Sequence, residues 1–265
     1  MTIGEAERLL AALSQARIDH PQLAVLLEMQ EGLTVAQAAV GANLPPLELP
    51  DVAIMRARWS AGQAALTWED LAVHWATFHA LLDQQAEAVA RHYPDLSQTV
   101  RDFADSEPAT GRVAARAWYI GEEQTAAISG LLAAALYPWL ARAAEAVRPH
   151  LDADLWRRET CPVCGGRADL AILEEKVGAR SLCCARCDTR WDYPRLGCPF
   201  CGKEDPALQG YYASDNGCYR LFTCDSCHGY LKTLDLRQAN RPVLLPLERI
   251  LTLSMDTAAR EQGYV

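Results

Sequence analysis

The chain contains four cysteine pairs of identical spacing: Cys161-Pro-Val-Cys164, Cys184-Ala-Arg-Cys187, Cys198-Pro-Phe-Cys201 and Cys224-Asp-Ser-Cys227. Two thiolates separated by two residues lie on one tight turn, and a second such turn completes a tetrahedral shell around one metal ion. All ten cysteines of the 265-residue chain fall between residues 161 and 227. We interpret them as metal ligands in a reducing compartment, because cytosolic thiols rarely persist as structural disulfides.

The lengths of the intervening segments favour sequential pairing of the four turns. Nineteen residues separate Cys164 from Cys184, and 22 separate Cys201 from Cys224, close to the window of about 15–20 that is typical of paired turns. Only 10 residues separate Cys187 from Cys198, which suits a junction between two modules better than a ribbon hairpin. The sequence therefore predicts two metal ions per chain, held by the residues of these two groups: Cys161, Cys164, Cys184 and Cys187, then Cys198, Cys201, Cys224 and Cys227. The spacing does not choose between iron and zinc.

The residues that follow the turns support this arrangement. Gly165 and Gly202 each follow the second cysteine of a pair, where positive φ lets backbone N–H groups face sulfur, whereas Asp188 and His228 occupy the other two positions. His228 is interpreted as a neighbour of the site and not as a ligand. Two cysteines remain unassigned: Cys183 and Cys218 are interpreted as small strand residues, with a redox role as the alternative.

Outside the cysteine region the sequence indicates helices. The pattern Thr67-Trp68-Glu69-Asp70 predicts a capping box for a helix that continues until Pro94. Further helices are expected at 5–16, 22–30, 52–65, 96–104, 112–136 and 140–147, and in the tail at 247–262. Short strands are expected at 180–183, 190–193, 218–222 and 230–236.

These patterns predict an α+β fold. We expect an all-helical domain at 1–156, a first four-cysteine ribbon at 157–195, a second at 196–237, and a tail with a short helix at 238–265. The two ribbons would be tandem modules of the rubredoxin-like or zinc-ribbon kind.

Charge and hydropathy narrow the class of protein. Residues 160–236 carry 9 Lys/Arg and 10 Asp/Glu, without the concentrated basic face typical of nucleic-acid binding. The uncharged run 124–141 is interpreted as a buried helix and not as a transmembrane span, because it is mostly Ala and contains Pro138. The acidic residues Glu5 and Glu7 among the first apolar residues argue against a signal peptide, so a cytoplasmic location is expected.

Taken together, the four cysteine turns resemble those of the FdhE family of formate dehydrogenase accessory proteins. The resemblance rests on Cys161-Pro-Val-Cys-Gly165, on Cys198-Pro-Phe-Cys-Gly202, on Cys224-Asp-Ser-Cys-His-Gly-Tyr-Leu-Lys-Thr-Leu-Asp235 and on Glu261-Gln-Gly-Tyr264. It covers about the last 105 residues.

The resemblance implies a cytoplasmic, non-catalytic factor for maturation of respiratory formate dehydrogenase, which binds the catalytic subunit of that enzyme. It also favours iron as the bound metal, with zinc as the alternative. Two other functions stay open: a rubredoxin-like electron carrier, and a nucleic-acid-binding zinc-ribbon protein, which the near-neutral charge disfavours. The absence of a phosphate loop, a His-Glu-x-x-His motif or a nucleophile elbow argues against an enzyme.

Overall fold

A computed structural model of the chain describes residues 2–176, 178–239 and 241–265. Contacts between residues divide it into two compact units. The helical unit comprises Met1–Pro50 and Leu66–Ala146, and the cysteine unit comprises Asp51–Ala65 and Val147–Val265. The segment at 51–65 therefore belongs with the cysteine turns, whereas it was predicted from the sequence to lie in the helical domain. The boundaries at 156, 195 and 237 stay predictions about independent folding.

The helical unit is built from amphipathic helices whose apolar faces bury one another. The helices along the chain are α1 (Ile3–Asp19), α2 (Ala24–Asn43), α3 (Val52–Ser60), α4 (Trp75–His92), α5 (Pro94–Ala104), α6 (Pro108–Tyr119) and α7 (Ala126–Val147), of which α3 belongs to the cysteine unit. α1 packs on α2, and α4 packs on both α2 and α5. A capping box between Thr2 and Glu5 starts α1. The fully buried side chains include Leu13, Leu27 and Phe78.

The capping box predicted at Thr67 is present only in half, through the bonds from Thr67 to the Asp70 side chain, and it does not start the long helix. The backbone N–H and hydroxyl of Thr67 lie 2.7 and 3.0 Å from the Asp70 carboxylate. Only a 3-10 turn, Glu69–Leu71, follows, because Ala72 adopts a left-handed conformation with φ 48° that ends it. The long helix begins at Trp75.

The predicted helix at 112–136 is also interrupted. α6 ends at Tyr119, and Gly121 follows with φ 93°, a conformation that favours glycine and stops the helix. α7 then runs without a break from Ala126 to Val147 and contains Pro138. By length and composition, two helical stretches would suffice to cross a membrane, Pro21–Asn43 and Ala126–His150; 56% of the apolar window of the second is buried inside the protein, as in core helices.

The cysteine unit contains one continuous six-stranded sheet. Its strands are β1 (Ala168–Leu173), β2 (Arg180–Cys184), β3 (Arg190–Asp192), β4 (Gln209–Ala213), β5 (Tyr219–Cys224) and β6 (Tyr230–Asp235), in the order β3-β2-β1-β6-β5-β4. β1 to β3 form one antiparallel half and β4 to β6 the other. The two halves join through parallel pairing of β1 with β6, in which Leu170 lies opposite Lys232.

This sheet confirms the α+β fold class, with one group of four cysteines in each half. Neither β1 nor β4 was predicted from the sequence, nor was the parallel pairing that fuses the two modules into one sheet. The predicted tail helix is present as two helices, α8 (Leu245–Leu251) and α9 (Leu253–Glu261), separated at Thr252. The helix α3 completes the unit.

Candidate metal centres

The four cysteine turns share one backbone conformation. In each turn, the residue after the second cysteine donates its N–H to the carbonyl of the first cysteine, at 2.8–3.3 Å. These residues all have positive φ: Gly165 at 70°, Asp188 at 59°, Gly202 at 70° and His228 at 56°. The first cysteine of each turn also donates its own N–H, to the carbonyl of the residue five positions later in the chain, at 2.8–3.0 Å. The common hydrogen-bond pattern explains why the two-residue spacing recurs, because it directs both sulfurs of a turn to one side.

The structure brings together the two groups that the spacing predicted. The first cysteine group is Cys161, Cys164, Cys184 and Cys187, and the second is Cys198, Cys201, Cys224 and Cys227; within each group the four Sγ atoms lie within 4.8 Å of one another. All eight residues are free thiols. That they bind metal stays a prediction.

The sulfur separations fit a tetrahedral metal ion. In the first group, Sγ of Cys164 lies 3.5 Å from Sγ of Cys184 and 3.6 Å from Sγ of Cys187. In the second group, the Cys198–Cys227 and Cys201–Cys224 pairs are 3.7 and 3.8 Å apart. A tetrahedron with metal–sulfur bonds of about 2.3 Å requires sulfurs about 3.8 Å apart, whereas a disulfide requires about 2.05 Å. The donor set therefore suits a four-thiolate site for iron or zinc.

The backbone around the first group also provides hydrogen bonds to sulfur. The N–H groups of Val163 and Arg186 each lie 3.4 Å from the sulfur of the first cysteine in their turn. The hydroxyl of Thr189 lies 3.1 Å from Sγ of Cys187. Such donors favour the thiolate form that a metal ion requires.

The two groups differ in their exposure to solvent. All four cysteines of the first group are buried, whereas in the second group Cys201 is exposed and Cys227 is half-buried. Burial raises the pKa of the Cys161 thiol well above its usual range and that of Cys198 to about 12. At Cys201 the pKa is lowered, chiefly by a hydrogen bond from the backbone of Lys203. Cys161 and Cys198 thus favour the thiol form unless a cation is bound, and the second group presents one cysteine to the surface.

The two unassigned cysteines lie outside both groups. Cys183 belongs to a buried apolar cluster with Leu170, Ile172 and Leu234, and burial raises its pKa to about 12. The Cys218 thiol lies 3.1 Å from the carbonyl oxygen of Gln238. Cys183 is thus a buried strand residue, as predicted, and a thiol with so high a pKa is inert at neutral pH.

The support that α3 gives to the first group was not predicted from the sequence. The carbonyl of Pro162, inside the first turn, accepts hydrogen bonds from the indole N–H of Trp59 at 2.9 Å and from the backbone N–H of Ala65 at 2.8 Å. Trp59 is 1% exposed. No spacing rule connects this tryptophan to a cysteine turn 103 positions away, although a lone Trp in a short helix is a signal of burial.

Comparisons with known proteins agree with these features. The family model "FdhE, central domain" matches residues 160–195. A protein described as "Protein FdhE homolog" from Stutzerimonas stutzeri is 30% identical over 96% of this chain and 84% of its own length. An Aquifex aeolicus protein of the same description is 37% identical over 42% of this chain, and the match spans only 40% of that relative's length.

A solved structure shows the same fold. The crystal structure of the FdhE protein from Pseudomonas aeruginosa superposes with a TM-score of 0.70, covers 98% of this chain and 91% of its own, and is 24% identical in sequence.

Proposed function

Because the chain belongs to the FdhE family of formate dehydrogenase accessory proteins, we propose that it is a non-catalytic assembly factor for respiratory formate dehydrogenase. In this proposal it binds the catalytic subunit of that enzyme in the cytoplasm and promotes its maturation. Two metal ions, iron in preference to zinc, occupy the two cysteine groups.

The arrangement of the thiols supports the proposal that the protein is not a catalyst. Each group supplies four sulfurs within 4.8 Å of one another, and four thiolates fill the coordination shell of a tetrahedral ion. A catalytic metal keeps one position open for water or substrate. When bound, the metal ions would hold the turns in place, and the protein would act by presenting a surface to its client.

The charge distribution supports a protein as the partner. The helical unit carries 7 Lys/Arg and 17 Asp/Glu, whereas the cysteine unit carries 18 and 17. Nucleic-acid binding draws most of its affinity from neutralised phosphates, which a near-neutral or acidic unit does not favour.

The binding proposal is tested by co-purification from the source cells. A tagged full-length chain should retain the catalytic subunit of formate dehydrogenase. A Cys198→Ala/Cys201→Ala variant should retain less, because the second group loses half of its ligands. Cys183→Ala is the matched control, since it removes a buried thiol that belongs to neither group, and it should retain the wild-type amount. Absence of the subunit from the wild-type eluate would contradict the proposal.

A second function is favoured by the exposure of Cys201. A rubredoxin-like electron carrier needs an iron site near the surface, and among the eight ligand candidates the exposed cysteine belongs to the second group. A reversible colour change of the iron-loaded protein on reduction and reoxidation would support this function. An unchanged spectrum would restrict the second group to a structural role.

A further inference from the structure

The last 21 residues, Leu245–Val265, contact the second turn of both cysteine groups. We call them the C-terminal segment; they comprise α8, Thr252, α9 and the four residues that follow. The contacts come from its two ends, because Arg249 lies in α8 and Tyr264 lies beyond α9. In the part of the chain that the structure describes, the first turns, at Cys161 and Cys198, form no hydrogen bond to this segment.

Arg249 binds the second turn of the first group. Its Nη1 lies 2.7 Å from Oδ1 of Asp188, and its Nη2 donates to the carbonyl oxygen of Cys184 at 2.9 Å. The same guanidinium binds Asp169 of β1 through Nε at 2.6 Å. A planar fork with several donors is suited to holding a carboxylate and a carbonyl at the same time, which an ammonium group cannot do as well.

Tyr264 and Val265 bind the second turn of the second group. The Tyr264 hydroxyl donates to Oδ1 of Asp225 at 2.7 Å, and the Val265 N–H donates to the carbonyl of His228 at 2.6 Å. The rings of His228 and Tyr264 lie 6.2 Å apart, within the range of aromatic contact. Asp225 lies between the two cysteines of this turn.

The residue with positive φ is of a different type in the first and in the second turn of each cysteine group. The first turn of each group has glycine there, Gly165 and Gly202, whereas the second turns have Asp188 at φ 59° and His228 at φ 56°. A side chain at positive φ is strained relative to glycine. Both strained residues are the ones that the C-terminal segment contacts, so these contacts offset a strain that glycine would avoid.

Further contacts anchor the segment to the sheet. Asp256 of α9 accepts hydrogen bonds from Lys232 at 2.7 Å and from the Tyr230 hydroxyl at 2.8 Å. Glu248 of α8, which is 1% exposed, binds Arg241 at 2.5 Å. These contacts hold α8 and α9 against the rest of the cysteine unit.

We infer that the C-terminal segment braces the second turn of both cysteine groups, through Arg249 and Tyr264, so that metal binding and docking of the segment stabilise each other. A bound metal fixes the turn that Arg249 or Tyr264 contacts. The docked segment in turn holds the two left-handed turns in the conformation that directs their sulfurs inward. Arg249 and Tyr264 are thus positioning residues for the two metal sites. The inference rests on the proposed metal binding at both groups.

The first test measures hydrogen exchange of the full-length protein, loaded with two metal ions and then treated with a strong chelator. We expect amides in 245–265 to lose protection on chelation, together with those of the turns. Persistent protection of the segment in the metal-free protein would overturn the inference. A protein that never binds metal would overturn both the inference and the metal sites, and the metal content measured beforehand separates the two failures.

The second test compares rates of metal transfer to a chromogenic chelator. Arg249→Gln and Tyr264→Phe should release metal at least about tenfold faster than the wild type, the usual effect of removing a group that orients a ligand. The matched controls Arg101→Gln and Tyr119→Phe remove the ion pair with Glu87 and the hydroxyl bond to the Leu66 carbonyl, which lie in the helical unit. These two contacts involve neither a cysteine turn nor the C-terminal segment, so both variants should release metal at the wild-type rate. Equal rates in the test and control variants would overturn the inference.

A third variant distinguishes the effect of the contact with Arg249 from the effect of backbone strain in the turn. It also provides a test if Arg249→Gln does not fold. Asp188→Gly removes the strain at φ 59° and the contact to Arg249 together. If bracing matters, metal release from the first group becomes faster despite the easier backbone. Slower or unchanged release would show that the turn needs no support from the segment.

Discussion

The indole nitrogen of Trp59 lies 2.9 Å from the carbonyl oxygen of Pro162, although 103 positions separate the two residues in the chain. This hydrogen bond joins α3 to the turn between Cys161 and Cys164. Since Trp59 is buried, the carbonyl has no water to replace the indole if it is removed. The first cysteine group therefore depends on a segment that precedes most of the helical unit.

Trp59→Phe tests this dependence. We expect the variant to lower the free energy of unfolding of the cysteine unit by about 0.5–1.5 kcal/mol, the contribution of one hydrogen bond, because Ala65 still donates to the same carbonyl. Metal loss from the first group should be faster as well. Denaturant unfolding and metal release would be compared with Trp75→Phe, a tryptophan of the helical unit. An equal effect of the two substitutions on metal release would contradict the assigned contact.

The metal content of cysteine variants tests the two groups directly. The wild type should bind two metal ions, and Cys198→Ala/Cys201→Ala should bind one, because two thiolates cannot hold a structural ion alone. The control Cys183→Ala/Cys218→Ala should keep two. Elemental analysis gives the stoichiometry, and X-ray absorption gives the ligand atoms. A nitrogen ligand in the wild type, or two ions in the first variant, would contradict the assignment.

Removal of metal by a chelator should unfold the cysteine unit and leave the helical unit folded. Short strands around cysteine turns bury too little apolar surface to fold without metal, whereas the long helices of the helical unit bury one another. We expect a strong chelator to abolish amide protection in α3 and in β1 to β6 and to leave α4 and α7 protected. Hydrogen exchange read by mass spectrometry resolves these elements. Collapse of the α4 and α7 signals together with the sheet would show that one core serves both units.

The buried carboxylate of Asp235 gives a prediction about pH. Its pKa is lowered from 3.8 to about 2, mostly by hydrogen bonds from Arg237 and to a smaller extent by one from Arg220. Both guanidinium groups lie 2.7 Å from Oδ2 of Asp235. Because the folded pKa is the lower one, this carboxylate stabilises the fold above about pH 4, and the stabilisation is lost as the pH falls toward about 2.

Asp235→Asn should therefore lower the free energy of unfolding at pH 7 by about 2–3 kcal/mol, less than for a fully buried pair because both arginines are partly exposed. The difference from the wild type should shrink below about pH 4. Asp215→Asn, an exposed residue of the β4–β5 connection, is the control and should have little effect at any pH. A difference between Asp235→Asn and the wild type that stays constant down to about pH 2 would contradict the explanation.

The cysteine groups were predictable because their determinant is local. A two-residue spacing and one residue of positive φ define each turn, so Cys161 to Cys164 can be recognised without its surroundings. The short gap between Cys187 and Cys198 also indicated the correct grouping. The strands next to the turns of the second group, β5 and β6, were likewise found from their aromatic and β-branched residues.

The sheet and the helix boundaries depend on contacts that no local pattern encodes. Parallel pairing of β1 with β6 brings together Leu170 and Lys232, and the apolar run of β1 lacks the alternation that marks a strand. The sequence around Trp59 has the pattern of a helix. That pattern predicts that one face of the helix is buried, but not which unit the face packs against. At Thr67, half of the capping box forms, yet the left-handed Ala72 ends the turn, and nothing in the sequence requires an alanine to adopt that conformation.

We propose that this protein is needed for maturation of formate dehydrogenase and acts without catalysis of its own. The most direct measurement is respiratory formate oxidation in source cells that carry the intact gene, a deletion, or the Cys198→Ala/Cys201→Ala variant at equal expression. We predict that the deletion abolishes the activity while the message for the catalytic subunit persists, and that the variant restores it only weakly. Normal formate oxidation in the deletion strain, with no related factor present, would contradict the claim.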